Sequence, residues 1–399
     1  MKYHELKTPS YIVQEGELIK NLKILNRVQR EAGCKVLLAE KAFSMFRVYP
    51  LIADYLAGTT ASGIYEARLA HEEFGSPANP HPENHVFEPA FKPDEMIELC
   101  GIADHLYFNS LAQLEAHRPI WEPYEKAGKM KIALRINPEH STQEGHAIYD
   151  PCGPGSRLGI RRRKMPARLP AGVSGLHFHT LCEQGLEPLI ETFRSVEEHF
   201  APYLTEAEWI NLGGGHHITR DDYDVDGLIA FIKEIKEKWQ VDVYLEPGEA
   251  IALNAGTLIT SVLDIVETSD LPTLILDASA ACHMPDVLEM PYTPPLFKAL
   301  ASRGGTESAP EPCEEGVWVR LASRTCLAGD VIGIYRLPAL PRIGDILTFG
   351  DMAIYSMVKN NTFNGMALPD IVLERDADAE DRFELVKRFG YEDFKGRLS

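Results

Sequence analysis

The chain has 399 residues, 45% of them hydrophobic and 25% charged, the proportions of a folded chain long enough for two domains or one large one. A formal net charge of -19 argues against nucleic acid as a partner and is compatible with a cationic ligand. No stretch is long and apolar enough to cross a membrane, the start Met1-Lys2-Tyr3-His4-Glu5-Leu6 lacks the layout of a secretory signal, and the seven cysteines form no close-spaced pair, so reduced thiols and a cytoplasmic location are expected.

Pro9-Val13 reads as a short strand before the first amphipathic helix, Leu18-Gln29. Eight short apolar runs then read as strands: Lys35-Ala39, Gly58-Ala61, His85-Glu88, His105-Phe108, Lys131-Ile136, Val173-Phe178, Trp209-Leu212 and Val241-Leu245. Between them lie the helical patterns Ile64-Phe74, Pro93-Leu99, Leu186-Phe200 and Val225-Trp239. This alternation predicts parallel strands joined by helical crossovers, an α/β fold. Eight strands predict a closed (β/α)8 barrel of the TIM type, with an open doubly wound sheet as the alternative. After about Ala250 the pattern becomes mainly β, with Leu258-Val266, Pro272-Leu276, Gly316-Leu321, Asp330-Tyr335 and Asp345-Phe349 as strands and Ala301-Gly316 as a surface loop. The early strand is expected to join this second domain, so residues 14–250 form the barrel and residues 1–13 with 251–399 form the β domain.

In a parallel barrel the reactive groups sit at the C-terminal ends of the strands. Lys41 ends the first strand, where partial desolvation lowers the pKa of an amine and makes it a nucleophile for a carbonyl, although most strand-end lysines are simply solvated. Gly213-Gly214-Gly215 follows the seventh strand and allows close backbone approach to an anion such as phosphate, or else marks a tight turn. Glu246, before Pro247-Gly248, could hold a heteroaromatic nitrogen protonated or merely cap a turn. His177 and His179 could bind zinc as in a barrel hydrolase, one imidazole could stack on a planar cofactor, or both could be satisfied core residues. Cys326, in a turn with Gly329 and Asp330, is a candidate proton donor if exposed and a small buried hydrophobe otherwise.

Taken together these residues resemble the fold-type III pyridoxal-phosphate enzymes, the superfamily of alanine racemase and the ornithine and diaminopimelate decarboxylases. Within it the similarity is to the branch acting on carboxylated polyamines. The resemblance covers nearly the whole chain. It is carried by Leu38-Ala39-Glu40-Lys41-Ala42-Phe43-Ser44-Met45-Phe46, by His177-Phe178-His179-Thr180-Leu181-Cys182, by the segment from Asp277 to Tyr292, and by Asp351-Met352-Ala353-Ile354-Tyr355 leading to Thr362-Phe363-Asn364-Gly365.

The resemblance implies that pyridoxal phosphate is the cofactor and that Lys41 is its covalent anchor. It implies that His179 stacks on the ring, that Gly213, Gly214, Gly215 and Tyr355 bind the phosphate, that Glu246 pairs with the ring nitrogen, and that Arg157 lies near the phenolic oxygen. It further implies a homodimer in which Cys326 and Asp330 reach the site across the interface, Cys326 supplying the proton after carbon dioxide leaves. The implied reaction is decarboxylation of a cationic carboxytriamine, carboxynorspermidine or carboxyspermidine, to the triamine.

Three departures from better-known relatives stand out. Diaminopimelate decarboxylases carry an arginine after Glu-Pro-Gly; here it is Glu249, which reverses the preferred ligand charge. Asp286 and Asp330 are expected to add negative charge for the substrate. Cys182 replaces a serine that contacts phosphate in many members, and Glu40 replaces an apolar residue. Diaminopimelate or a basic amino acid remains the alternative substrate within the superfamily.

Overall fold

Val36, Leu37, Leu38 and Ala39 are all buried, so the first strand of the larger unit is covered on both faces, the pattern of a parallel strand roofed by helices. In this computed structural model, which describes residues 1–143, 147–308, 310–311, 315–375 and 382–399, that unit spans Lys20–Ile251 and the second comprises Met1–Ile19 and Ala252–Ser399. The barrel of the larger unit is built from eight parallel strands: Lys35–Ala39, Gly58–Ala61, Glu83–Glu88, His105–Phe108, Lys131–Asn137, Val173–His177, Trp209–Asn211 and Asp242–Leu245. Each pairs with the next, and Tyr244 and Leu245 pair with Lys35 and Val36 to close the barrel. The expected eight-stranded barrel is thus present, with strand ends shifted by one or two residues.

The barrel interior is filled by Leu37, Tyr107, Ala133, Trp209 and Tyr244. Gly175 makes room for the largest of them, because a Cβ there would lie 2.1 Å from the Trp209 ring. The helices Glu15–Ala32, Ile64–Glu73, Met96–Ile102, Leu186–Leu204 and Val225–Trp239 match the five amphipathic patterns. The helix Leu111–Lys126 goes beyond the sequence expectation. It starts at Ser110, whose side chain accepts from the Gln113 N–H, and it contains Pro119 and Pro123. Both prolines are exposed, so the carbonyls deprived of an intrahelical donor face water and the helix survives.

The smaller unit is a mixed sheet. Ser10–Gln14 lies between Gly256–Val266, antiparallel, and Asp370–Glu374, parallel, so the early strand does join this sheet. Thr273–Leu276, Val317–Ser323, Val331–Leu337 and Ile346–Gly350 are strands as expected. Asp370–Glu374 and Phe383–Lys387 are strands the sequence reading does not contain. The segment expected as a loop from Ala301 opens as a strand, Ala301–Arg303, paired with Val331–Leu337; residues 309 and 312–314 lie outside the described residues. Tyr11, Leu258, Val262, Leu274, Val319, Leu321, Ile332, Tyr335 and Phe349 form the core of this sheet. Among the described residues no helix is long and apolar enough to cross a membrane.

Candidate active site at the barrel mouth

Lys41 follows a strand end that is pinned on both sides. The Ala39 N–H donates to Pro247 O at 3.0 Å and the Glu40 N–H to Thr60 O at 3.1 Å. The Lys41 side chain keeps an open face, yet protein crowds its ammonium. That desolvation, and then the Arg135 guanidinium, lower its pKa against the opposing pull of Glu246, Glu66 and Cys182. Glu40 precedes Lys41 in the chain. Its side chain is fully buried, accepts from the Tyr49 hydroxyl at 3.0 Å, and leaves Oε1 without a partner. Burial, and then Glu66, push its pKa up to about 9, so it is a neutral acid behind Lys41.

Glu246 ends the eighth strand and is surrounded by donors. His177 Nε2 lies 3.1 Å from Oε2, Asn211 Nδ2 donates to Oε1 at 2.8 Å, and the Thr60 hydroxyl adds a third bond. Burial alone would raise this carboxyl, but His177, His85 and Thr60 outweigh it and hold Glu246 below the ordinary carboxylate range. Burial lowers the His177 pKa, so the pair is an ionised carboxylate receiving a hydrogen bond from a neutral imidazole. His177 stacks on Tyr107, with ring centroids 4.8 Å apart and planes 8° apart.

The Gly213-Gly214-Gly215 turn fits between two neighbours with no space to spare. A Cβ on Gly214 would stand 2.0 Å from Glu246 O, and one on Gly215 would stand 1.8 Å from Leu181 O. Gly213 and Gly215 have φ of 71° and 86°, the region only glycine enters freely. The turn's first two N–H groups are used internally: Gly213 donates to Asn211 Oδ1 at 2.8 Å and Gly214 to His179 Nδ1 at 3.1 Å. The second bond fixes the His179 proton on Nε2, and burial keeps this ring neutral.

His217 Nε2 lies 3.8 Å from the Glu249 carboxylate. Burial lowers the His217 pKa to about 4, so at neutral pH its ring is uncharged. Arg157 is exposed, and its carbonyl accepts from Asn109 Nδ2 at 2.9 Å. Arg135, which the sequence reading does not single out, is 5% exposed, donates to His179 O at 3.1 Å and lies 4.4 Å over the Phe87 ring. His177 and His179 belong to no three-ligand cluster among the described residues; their nitrogens serve Glu246 and Gly214 instead.

A soft-pKa lysine, an ionised carboxylate held by neutral donors, a neutral imidazole and a glycine turn that a Cβ would fill are the donor set that pyridoxal phosphate requires. The residues present fit the group.

In the smaller unit, Cys326 is exposed and its N–H donates to Asn364 Oδ1 at 2.7 Å. This contact ties the Cys326 turn to Thr362-Phe363-Asn364-Gly365, which carries part of the resemblance. Asp330 has a different place from the one expected of a substrate-binding acid. It is 2% exposed and accepts from Ser279 Oγ and Thr325 Oγ1, each at 2.6 Å, and from the Ala281 N–H at 3.2 Å. These donors occupy both its oxygens, so Asp330 builds the Cys326 turn. Asp286 is ion-paired with Lys359, which also pairs with Glu289, so its charge is already opposed. Tyr355 has φ 53° and ψ -40° and precedes the short helix Ser356–Lys359.

Comparison with known proteins points to the same cofactor. The family model described as "Pyridoxal-dependent decarboxylase, C-terminal sheet domain" matches residues 12–353. A carboxynorspermidine/carboxyspermidine decarboxylase of Campylobacter jejuni is 39% identical over 399 residues, covering all of both chains. A carboxyaminopropylagmatine decarboxylase of Synechocystis is 40% identical, covering 98% of this chain and 96% of that one. The crystal structure of the Campylobacter jejuni carboxynorspermidine decarboxylase complexed with norspermidine superposes with a TM-score of 0.88 at 38% identity, over 98% of this chain and all of that one. The chain therefore belongs to the pyridoxal-dependent decarboxylases, and it is a carboxy-lyase that uses pyridoxal phosphate.

Proposed function

We propose that the chain decarboxylates a carboxylated polyamine, carboxynorspermidine or carboxyspermidine, giving norspermidine or spermidine in polyamine biosynthesis. The observation that carries this substrate reading is Glu249, a carboxylate at the barrel mouth in the position where diaminopimelate enzymes have arginine. An ammonium about 4 Å from a carboxylate gains roughly 4 kcal/mol at an effective dielectric of 20, before desolvation. A substrate cationic along its length gains from that charge, and diaminopimelate, whose distal end carries a carboxylate beside its ammonium, gains less.

Bound pyridoxal phosphate supplies the electron sink for the pair left when carbon dioxide departs. In this reading Lys41 anchors the cofactor through its low-pKa amine, and Glu246 keeps the ring nitrogen protonated. The neutral His179 ring packs against the cofactor. Gly213, Gly214 and Gly215 shape the turn that receives the phosphate. Arg157 serves the phenolic oxygen. Cys326 delivers a proton to the product carbon from the partner of a homodimer, with Asp330 holding its turn rather than touching substrate.

The Synechocystis relative supports a second reading, a substrate with a guanidinium at the distal end. Product analysis separates the readings. Purified protein loaded with pyridoxal phosphate is given carboxynorspermidine, carboxyspermidine, carboxyaminopropylagmatine and meso-diaminopimelate separately. Triamine from the first two is expected. Turnover of the agmatine derivative alone would select the second reading, and lysine from diaminopimelate alone would overturn the reading of Glu249. Glu249→Arg is expected to reduce triamine formation at least tenfold.

A further inference from the structure

We propose that Tyr107 is a positioning residue for this site: one phenol hydroxyl fixes the Asn211 amide and, through it, both the Glu246 carboxylate and the glycine turn. The inference rests on the reading of Glu246 and Gly213–Gly215 as cofactor-binding elements. Tyr107 lies in the strand His105–Phe108 and is fully buried inside the barrel. Its oxygen is 3.0 Å from Asn211 Nδ2 and contacts His85 Nδ1.

The polarity of these bonds follows from their ends. Asn211 Oδ1 accepts from the Gly213 N–H at 2.8 Å, so Nδ2 must face the other side. There its two N–H groups serve Glu246 Oε1 at 2.8 Å and the Tyr107 oxygen at 3.0 Å. The Tyr107 oxygen is thus an acceptor from Asn211, and its own proton goes to His85 Nδ1. His85 then carries its proton on Nε2, which donates to Glu83 Oε2 at 2.9 Å, and Glu83 is paired with Lys35. The chain runs from the site to the opposite end of the barrel with each atom in one role. A reversed Asn211 amide would set its oxygen against the Glu246 carboxylate and its NH2 against the Gly213 N–H, losing both contacts. The Tyr107 ring also stacks on His177, another side-chain support of Glu246. Burial holds the Tyr107 pKa well above the ordinary phenol value, so the hydroxyl keeps its proton.

Glu83, His85 and His105 bring three metal-ligand atoms close together, but they do not form a metal site. Both His85 nitrogens are engaged in the chain and Lys35 supplies the countercharge to Glu83. The His85 and His105 rings are stacked at 3.9 Å with planes 24° apart, so their lone pairs do not converge on one point.

Tyr107→Phe removes the hydroxyl and keeps the ring. The apoprotein is titrated with pyridoxal phosphate, and the dissociation constant is read from absorbance and fluorescence, with the pH dependence of the visible band of the loaded protein. A dissociation constant raised about tenfold and a shifted pH profile are expected, together with a fall in kcat at nearly constant KM. The Asn211→Ala variant is expected to lose affinity too, and adding Tyr107→Phe to it is expected to change nothing further, because both act through one amide. Unchanged affinity and band profile in Tyr107→Phe, or additive losses in the double variant, would overturn the inference even if the melting temperature falls. Should Tyr107→Phe not fold, His85→Leu unties the same hydroxyl and is read against the same two outcomes. Failure of the unsubstituted chain to bind pyridoxal phosphate would instead sink the reading of Glu246 on which this inference rests.

Discussion

Replacing Glu246 with glutamine changes charge and almost no volume, so it separates electrostatics from packing. The carboxylate receives His177 Nε2 at 3.1 Å, Asn211 Nδ2 at 2.8 Å and the Thr60 hydroxyl. Glutamine offers one acceptor oxygen and an NH2. With its oxygen opposite Asn211, its NH2 faces His177, which can answer by moving its proton to Nδ1. That atom is buried and has no partner, so the new tautomer leaves one buried N–H unpaired, at about 1–3 kcal/mol. The barrel tolerates that. Turnover is expected to suffer, because in the role proposed for Glu246 a neutral amide would no longer hold the ring nitrogen of the cofactor protonated. A loss of about 10²–10⁴ in kcat is expected, the usual size of one acid–base contribution, with KM within about threefold. Initial rates of carbon dioxide release at saturating pyridoxal phosphate give kcat and KM, and a thermal melt gives the stability change. A kcat within threefold of the parent, accompanied by a lowered melting temperature, would reduce Glu246 to a structural acid and refute the reasoning.

Lys41→Ala is expected to abolish the visible absorbance of the purified protein and its trapping by borohydride; a variant that stays yellow after dialysis would remove Lys41 as the covalent anchor. Gly215→Ala forces a residue at φ 86° and a Cβ at 1.8 Å from Leu181 O, so affinity for pyridoxal phosphate should fall at least tenfold, and unaltered affinity would show that the turn does not hold the phosphate. Glu40 keeps its proton to about pH 9 where an unfolded chain releases it near 4.3. Between those values the folded state binds the extra proton, so stability falls by about 1.4 kcal/mol per unit rise in pH. Glu40→Gln removes that slope: its melting temperature should gain on the parent from pH 5 to pH 8, and a constant gap would refute the buried neutral acid.

The barrel was legible because its strands are short β-branched and aliphatic runs separated by amphipathic helices, and each period is set by burial on one or both faces. What escaped has a physical reason in each case. Helix Leu111–Lys126 carries two prolines that local pattern reads as helix breakers, yet their broken bonds face water and the helix continues. Asp370–Glu374 becomes a strand by pairing in parallel with Ser10–Gln14, some 360 residues earlier in the chain. Phe383–Lys387 then pairs with Asp370–Glu374 in turn, so local pattern carries little of its signal.

The site divides along the same line. Lys41, Glu246 and the glycine turn announce themselves at strand ends, where a polar or glycine residue interrupts an apolar run. Arg135, Tyr107, Asn211 and His85 lie within strands and are all buried, so their one-letter context reads as core. Their function comes from partners far away in sequence: Tyr107 meets Asn211 across 104 positions, and Arg135 meets the His179 carbonyl across 44. A buried polar group without a partner costs more than a satisfied one gains, so these residues persist in a barrel core only as a mutually satisfied set. Asn211 and His85 help hold Glu246 ionised, Glu246 in turn sets the His177 tautomer, and the Gly214 N–H sets that of His179. The strand ends carry the groups proposed to react, and the buried polar layer beneath them determines which protons those groups hold.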